Sequence, residues 1–111
     1  MNKDNPFFSP NGRIIVKPFR TDTNKKGTDF LTINYYRISV MYTYSIQAQI
    51  QKRIFAKFPH PQTEVFDSIQ ECKTAAKNDL KAWCDQNKLK KAFNRLVPEL
   101  TDQLDLFDDI L

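Results

Sequence analysis

An α+β fold, a small antiparallel sheet of about three strands packed against one long and one short helix, follows from three observations on this chain of 111 residues. Residues 36–58 alternate apolar and polar, residues 69–83 carry apolar side chains at helical spacing, and Pro59-His60-Pro61 divides the two stretches.

Residues 1–12 are polar and interrupted by Pro6, Pro10 and Gly12, which makes them an irregular lead-in. Arg13 to Arg20 reads as a short strand, and Pro18, which cannot donate to a ladder, puts an edge or a bulge there. Thr21 to Thr28 reads as a polar turn or loop in which Gly27 supplies the positive φ.

From Tyr36 the even positions run through Ile38, Val40, Tyr42, Tyr44, Ile46, Ala48 and Ile50 to Ile54 and Phe58, an apolar face interrupted only by Lys52. One strand of that length would reach about 75 Å at ~3.3 Å per residue. The stretch therefore divides into two antiparallel strands with an unpunctuated turn near Tyr44 to Gln49. Ser45 to Phe58 also admits a helix, because Ile46, Ile50, Ile54 and Phe58 recur every four residues. The alternation favours strand.

Helix signals begin beyond the prolines. Asp67 with Gln70 and Ser68 with Glu71 both have capping-box spacing, and Ile69, Cys72, Ala76, Leu80 and Trp83 form an amphipathic stripe. A turn around Asp85-Gln86-Asn87 leads to a second helix, Lys88 to Leu96, in which Leu89, Phe93 and Leu96 repeat the spacing before Pro98 ends it. The chain then divides into a basic α+β domain over residues 1–98 and an acidic, extended tail over residues 99–111.

The division is sharpest in charge. Glu99, Asp102, Asp105, Asp108 and Asp109 lie in a final stretch without Lys or Arg; without them the net charge of +4 becomes +9 on residues 1–96, where 17 basic residues face 8 acidic ones. Hydrophobic residues at 41% and charged residues at 27% are the balance of a globular chain, and no apolar run reaches the roughly 20 residues of a spanning helix. The first residues lack the apolar core of a secretory signal, so the expected location is cytoplasmic. Cys72 and Cys84 fall twelve residues apart in one helix, about 18 Å at ~1.5 Å per residue, too far for a disulfide.

Catalysis finds little support in this composition. His60 stands alone between two prolines, Glu71-Cys72-Lys73 resembles a nuclease E-x-K only superficially, and a phosphate-cradling glycine loop is absent. We expect no enzyme, no cofactor and no metal site. Phosphate contact is the chemistry the charge suggests, through Lys25 and Lys26 in the first loop, Lys52 and Arg53 in the strand region, and Lys73, Lys77 and Lys81 as a ridge repeating every four residues. A solvated helix face explains that ridge equally well. Among the tyrosines, Tyr36, Tyr42 and Tyr44 share the core face, and only Tyr35 is expected to face outward as a stacking platform for a single strand.

The most specific feature is Gln103-Leu104-Asp105-Leu106-Phe107. It resembles the pentapeptide by which bacterial replication and repair proteins dock on the sliding clamp, and on average residue usage a chance match in a chain this long is on the order of 10⁻⁴. The resemblance covers five residues and implies that Gln103 enters a small polar pocket, Leu106 and Phe107 fill a hydrophobic cleft, and Leu104 packs beside them. Two adjacent apolar anchors flanked by acids suit a groove ligand.

Other readings of this tail stay open. Leu100, Leu104, Phe107 and Leu111 are spaced for a third amphipathic helix; the acidic end is similar to the tips of single-stranded-DNA-binding proteins, although Ile110-Leu111 replaces their usual Pro-Phe; or the tail folds back on the basic body. The function expected is a non-catalytic phage, plasmid or bacterial protein of DNA replication or repair, with the sliding clamp and DNA as partners and no membrane. Its alternatives are a phage-type inhibitor of a host replication or defence complex, and a single-stranded-DNA binder with a docking tail. The sequence leaves the oligomeric state undetermined.

Overall fold

The computed structural model describes residues 6–99 and 101–102. Its elements are β1 (Arg20–Lys26), β2 (Asp29–Ile38), β3 (Met41–Ile50), β4 (Arg53–Lys57), α1 (Ile69–Gln86), α2 (Lys90–Leu96), a 3₁₀ turn (Val97–Glu99) and β5 (Thr101–Asp102). The strands form one antiparallel sheet in the order β4-β3-β2-β1-β5, and both helices lie on a single face of it. The α+β class agrees with expectation, with four full strands and a two-residue fifth in place of about three. No helix among the described residues is long and apolar enough to cross a membrane.

Three two-residue turns fold the meander, and they correct the reading of its alternation. Gly27 takes the positive φ expected of it, but Ser39 (φ 59), Gln51 (φ 52) and Lys52 (φ 69) adopt the same left-handed region without being glycine. The chain therefore turns at Ser39-Val40 and Gln51-Lys52, while Tyr44 to Gln49, where a turn was expected, lies in the middle of β3. The helical alternative for Ser45–Phe58 gives way to β3 and β4.

A two-residue loop between paired residues also reverses parity. Tyr35 pairs with Tyr44 and Ala48 with Phe55, so the core face uses odd positions in β2, even ones in β3 and odd ones again in β4. Leu31, Ile33 and Tyr35 thus join Tyr44, Ile46, Ala48 and Ile50 in the core. Three residues of the supposed apolar face are left outside: Val40 is 74% exposed in its turn, Ile54 is 73% exposed on the opposite face of β4, and Phe58, just beyond β4, is also exposed. Tyr35, expected to point outward, is buried.

β1 occupies Thr21–Lys26, where a loop was expected, and of Arg13 to Arg20 only Arg20 belongs to a strand. Ile14 makes an isolated bridge to Phe8, and the Phe19 amide donates to Tyr35 O at 2.6 Å, so that segment runs as an irregular lead into the sheet. β1 is polar because its inward side chains bind rather than pack. The Tyr35 hydroxyl donates to Asp22 Oδ2 at 3.0 Å, Lys73 Nζ lies 3.3 Å from the same oxygen, and Arg20 Nε approaches Oδ1 at 3.4 Å. Asn24 Nδ2 donates to Leu96 O at 2.8 Å, tying β1 to the end of α2.

The helices follow the sequence closely. Ser68 caps α1 by accepting from the Glu71 amide at 3.1 Å, and Glu71 Oε2 accepts from the Asp67 amide at 3.0 Å. Cys72, Ala76, Leu80 and Cys84 are buried against the sheet, with Ile69 and Trp83 half-buried at the margins and the Trp83 ring stacked 5.4 Å from Phe55. α2 begins at Lys90 rather than Lys88, because Leu89 is its cap and Lys88 (φ 60) makes the turn. Both cysteines are free; burial pushes the Cys72 thiol up to about 12 and the Cys84 thiol up to about 11.

Candidate nucleic-acid interface

The antiparallel meander sends the β1–β2 and β3–β4 turns to the same end of the sheet, and the connection from α1 to α2 meets them there. Arg53 Nη1 donates to Asn87 Oδ1 at 2.9 Å and to Asn87 O at 3.2 Å, joining the β3–β4 turn to the turn between the helices. Asp29 Oδ1 accepts from the Gln51 amide at 2.9 Å, and Asp29 Oδ2 lies 3.3 Å from Arg95 Nη2, which draws α2 to the same place. Gln49 Nε2 closes the set by donating to Thr28 O at 3.2 Å.

The result is a basic pole assembled from four separated segments. Lys25 and Lys26 come from the end of β1, Lys52 from the β3–β4 turn and Arg53 from the start of β4, Lys88 from the interhelical turn, and Lys90, Lys91 and Arg95 from α2. Lys25, Lys52, Arg53, Lys88, Lys90 and Lys91 are exposed, and Lys26 is half-buried. Among the described residues the acids nearby are Asp29, engaged as above, and Asp85 near the end of α1, whereas Glu64, Asp67 and Glu71 gather at the start of that helix. Cations concentrated at one end create the kind of field that draws a polyanion.

The ridge on α1 divides. Lys73 turns inward to Asp22 and is a structural tie rather than a phosphate contact; its side chain is 22% exposed. Lys77 is half-buried, and Lys81, exposed, lies nearer the pole. Tyr35 is withdrawn from any stacking role, fully buried on the core face with its hydroxyl on Asp22. Tyr44 is also held inside, donating to Asp79, which Lys57 Nζ approaches at 2.6 Å; burial first, and then Asp79, raises the Tyr44 phenol above its ordinary range. Tyr42 is half-buried against Phe19, their rings 6.1 Å apart.

Lys88, Lys90, Lys91 and Arg95 join Lys25 and Lys52 only through tertiary structure. In the sequence they are charges of no particular address; the one local sign is that residues 88–95 carry four basic side chains and no acid.

The clamp-type residues Gln103, Leu104, Asp105, Leu106 and Phe107 lie outside the described residues. The backbone just before them does not. Thr101 pairs with Thr23 and Asp102 with Asp22, so the segment expected as a separate tail is joined to the edge of the sheet at its start. β5 runs antiparallel to β1, and at Asp102 the chain is directed away from the basic pole. Comparison with family models, curated protein sequences and solved structures gave no match, which leaves the chain's own residues to carry the functional reading.

Proposed function

We propose that this chain is a non-catalytic protein of DNA replication or repair that docks on a bacterial sliding clamp through Gln103–Phe107 while its basic pole contacts DNA. The pentapeptide carries the reading. Its anchors, Leu106 and Phe107, offer the paired apolar side chains that a hydrophobic cleft rewards, and Asp105 and Asp108 keep them soluble.

The body supports a two-point mechanism. β5, the two residues that precede the peptide in sequence, pairs with the β1 edge of the sheet. Two weak contacts on one molecule strengthen each other through effective concentration, so neither has to be tight alone. A clamp encircling DNA presents both ligands together.

The test is titration of the full chain into purified bacterial clamp. Binding in the micromolar range, about 8 kcal/mol, is expected. It should disappear in the Leu106→Ala, Phe107→Ala double variant and persist in a Lys88→Glu, Lys91→Glu variant. Absence of binding by the intact chain at high concentration ends the proposal.

A further inference from the structure

The face of the sheet opposite the helices is chemically unlike the rest of the molecule. Its outward positions on β1 to β4 carry hydroxyls, amides, apolar groups and one lysine, Lys25, and not one carboxylate. The core face of the same strands holds Asp22. Toward the Ser39-Val40 end the outer face is covered: Tyr36, Thr43 and Ser45 are buried, with Tyr36 Oη and Ser45 Oγ 3.2 Å apart. Toward the basic pole it is open. Gln47, Ile54 and Ala56 are exposed there, and Phe30, Thr32 and Asn34 are half-buried.

Cations mark both ends of this open strip. Lys25, near the end of β1, and Lys52, in the β3–β4 turn, stand at the pole, and Arg13 stands at the other end, on the rim of a cleft of about 600 Å³ lined also by Ile14, Tyr36, Phe58 and His60. Phe58 is 52% exposed and Ile54 is 73% exposed, so apolar surface lies beside the cleft. From Phe30 to Asn34 the open strip measures about 13 Å at ~3.3 Å per residue.

We infer that this helix-free face is a platform for single-stranded nucleic acid, with the cleft at Arg13, Tyr36, Phe58 and His60 receiving one unstacked base. The inference rests on the reading that the body contacts DNA, and it names the form of the nucleic acid and the surface. Aromatic and apolar side chains on a sheet receive unpaired bases, whose π-faces are accessible only when the strand is single. Neutral amides and hydroxyls serve base edges, and the outward strand positions carry no carboxylate to repel phosphates. A second copy of the chain fits this face poorly: it would bring Arg13 and Lys25 against their own counterparts and bury the Gln47 amide against little apolar area.

The test uses the full chain with a fluorescein-labelled oligothymidine and a hairpin duplex of equal length, followed by anisotropy. A preference of about tenfold for the single strand is expected. Gln47→Glu and Ile54→Glu, both exposed positions, should each weaken it about fivefold, while Asn78→Glu on α1 adds the same charge on the helix side and should change it less than about twofold. Phe58→Ala should weaken the single strand and leave the duplex unchanged. Thermal melts of each variant exclude unfolding as the cause.

If only the Lys88→Glu, Lys91→Glu variant loses binding, the face is not the platform and DNA contact at the pole stands. If no oligonucleotide binds the intact chain, both fall. If Ile54→Glu separates a dimer and leaves oligonucleotide binding unmoved, the face is a self-interface and the inference is overturned.

Discussion

The two faces of one sheet differ in what holds them. The face under the helices is closed by apolar packing around Ile33, Tyr35, Ile46 and Leu80 and by a buried carboxylate, Asp22, that reaches Tyr35, Lys73 and Arg20. The other face keeps Gln47 and Ile54 in solvent and pairs its polar groups locally, as Thr21 Oγ1 donates to Asn34 Oδ1 at 2.7 Å. The same strands, by alternation, therefore present a surface built for stability and a surface free for something else. One parity forms the helix-covered core, and the other forms a face that is part buried, at Tyr36, Thr43 and Ser45, and part open.

The largest expected effect breaks or upholds that division directly. Ile46→Ala removes a fully buried side chain from beneath α1 and should cost about 4 kcal/mol. Ile54→Ala, on the adjacent strand but the open face, should stay within about 0.5 kcal/mol. Urea denaturation of the two variants measures both. Equal losses would mean that the faces are energetically alike and that the partition is wrong.

Asp22→Ala comes next. It leaves the Tyr35 hydroxyl and Lys73 directed at an empty position under the helix, at a cost of about 3 kcal/mol, since breaking a buried pair strands its partner. Adding Lys73→Met should recover part of that loss, because an uncharged stem of similar length packs where the ammonium stood. A double-variant cycle reads the coupling. Additivity would show that the polar tie does not hold α1 to β1.

How far the sequence discloses this division depends on what kind of signal each element carries. α1 was legible because Ser68, Glu71 and the stripe from Cys72 to Leu80 are local, and local patterns survive folding. β1 was not, because its inward residues Asp22 and Asn24 are polar and find their partners on β2, α1 and α2, beyond any window of sequence. Tyr35 and Ile54 escape the sequence pattern for one reason: the turns at Ser39-Val40 and Gln51-Lys52 contain no glycine, so the parity reversals they impose on β2 and β4 relative to β3 leave no mark. The basic pole has the same history. Its lysines are visible in the sequence, but their meeting depends on Arg53 reaching Asn87 and Arg95 reaching Asp29.

A smaller effect appears in alkali, through two thiols on the helix-covered side. Burial raises the Cys72 thiol to about 12 and the Cys84 thiol to about 11, from an ordinary value of 9.0. Above that ordinary value the unfolded chain releases thiol protons that the folded chain retains, so the unfolded state binds fewer protons and stability declines with rising pH. Urea midpoints should therefore fall between about pH 9 and pH 11, and Cys84→Ala should make the decline shallower. An unchanged slope in the variant would assign the alkaline loss elsewhere.

The smallest expected effect concerns the turn that decides which residues of β4 face which way. Lys52 sits at φ 69 and Gln51 at φ 52, a pair of left-handed residues supported by the hydrogen bond from the Gln51 amide to Asp29. For a residue with a Cβ that conformation costs about 1–2 kcal/mol, and glycine escapes it while paying about 0.5–1 kcal/mol in unfolded-chain entropy. Lys52→Gly should thus gain about 0.5 kcal/mol, whereas the same replacement at Gln47, inside β3, should lose about 1 kcal/mol. The turn would be eased without altering the register that puts Phe55 against Trp83 and Ile54 in solvent. A loss at Lys52 equal to that at Gln47 would show that its side chain, and not the backbone of the turn, maintains the reversal on which the two faces depend.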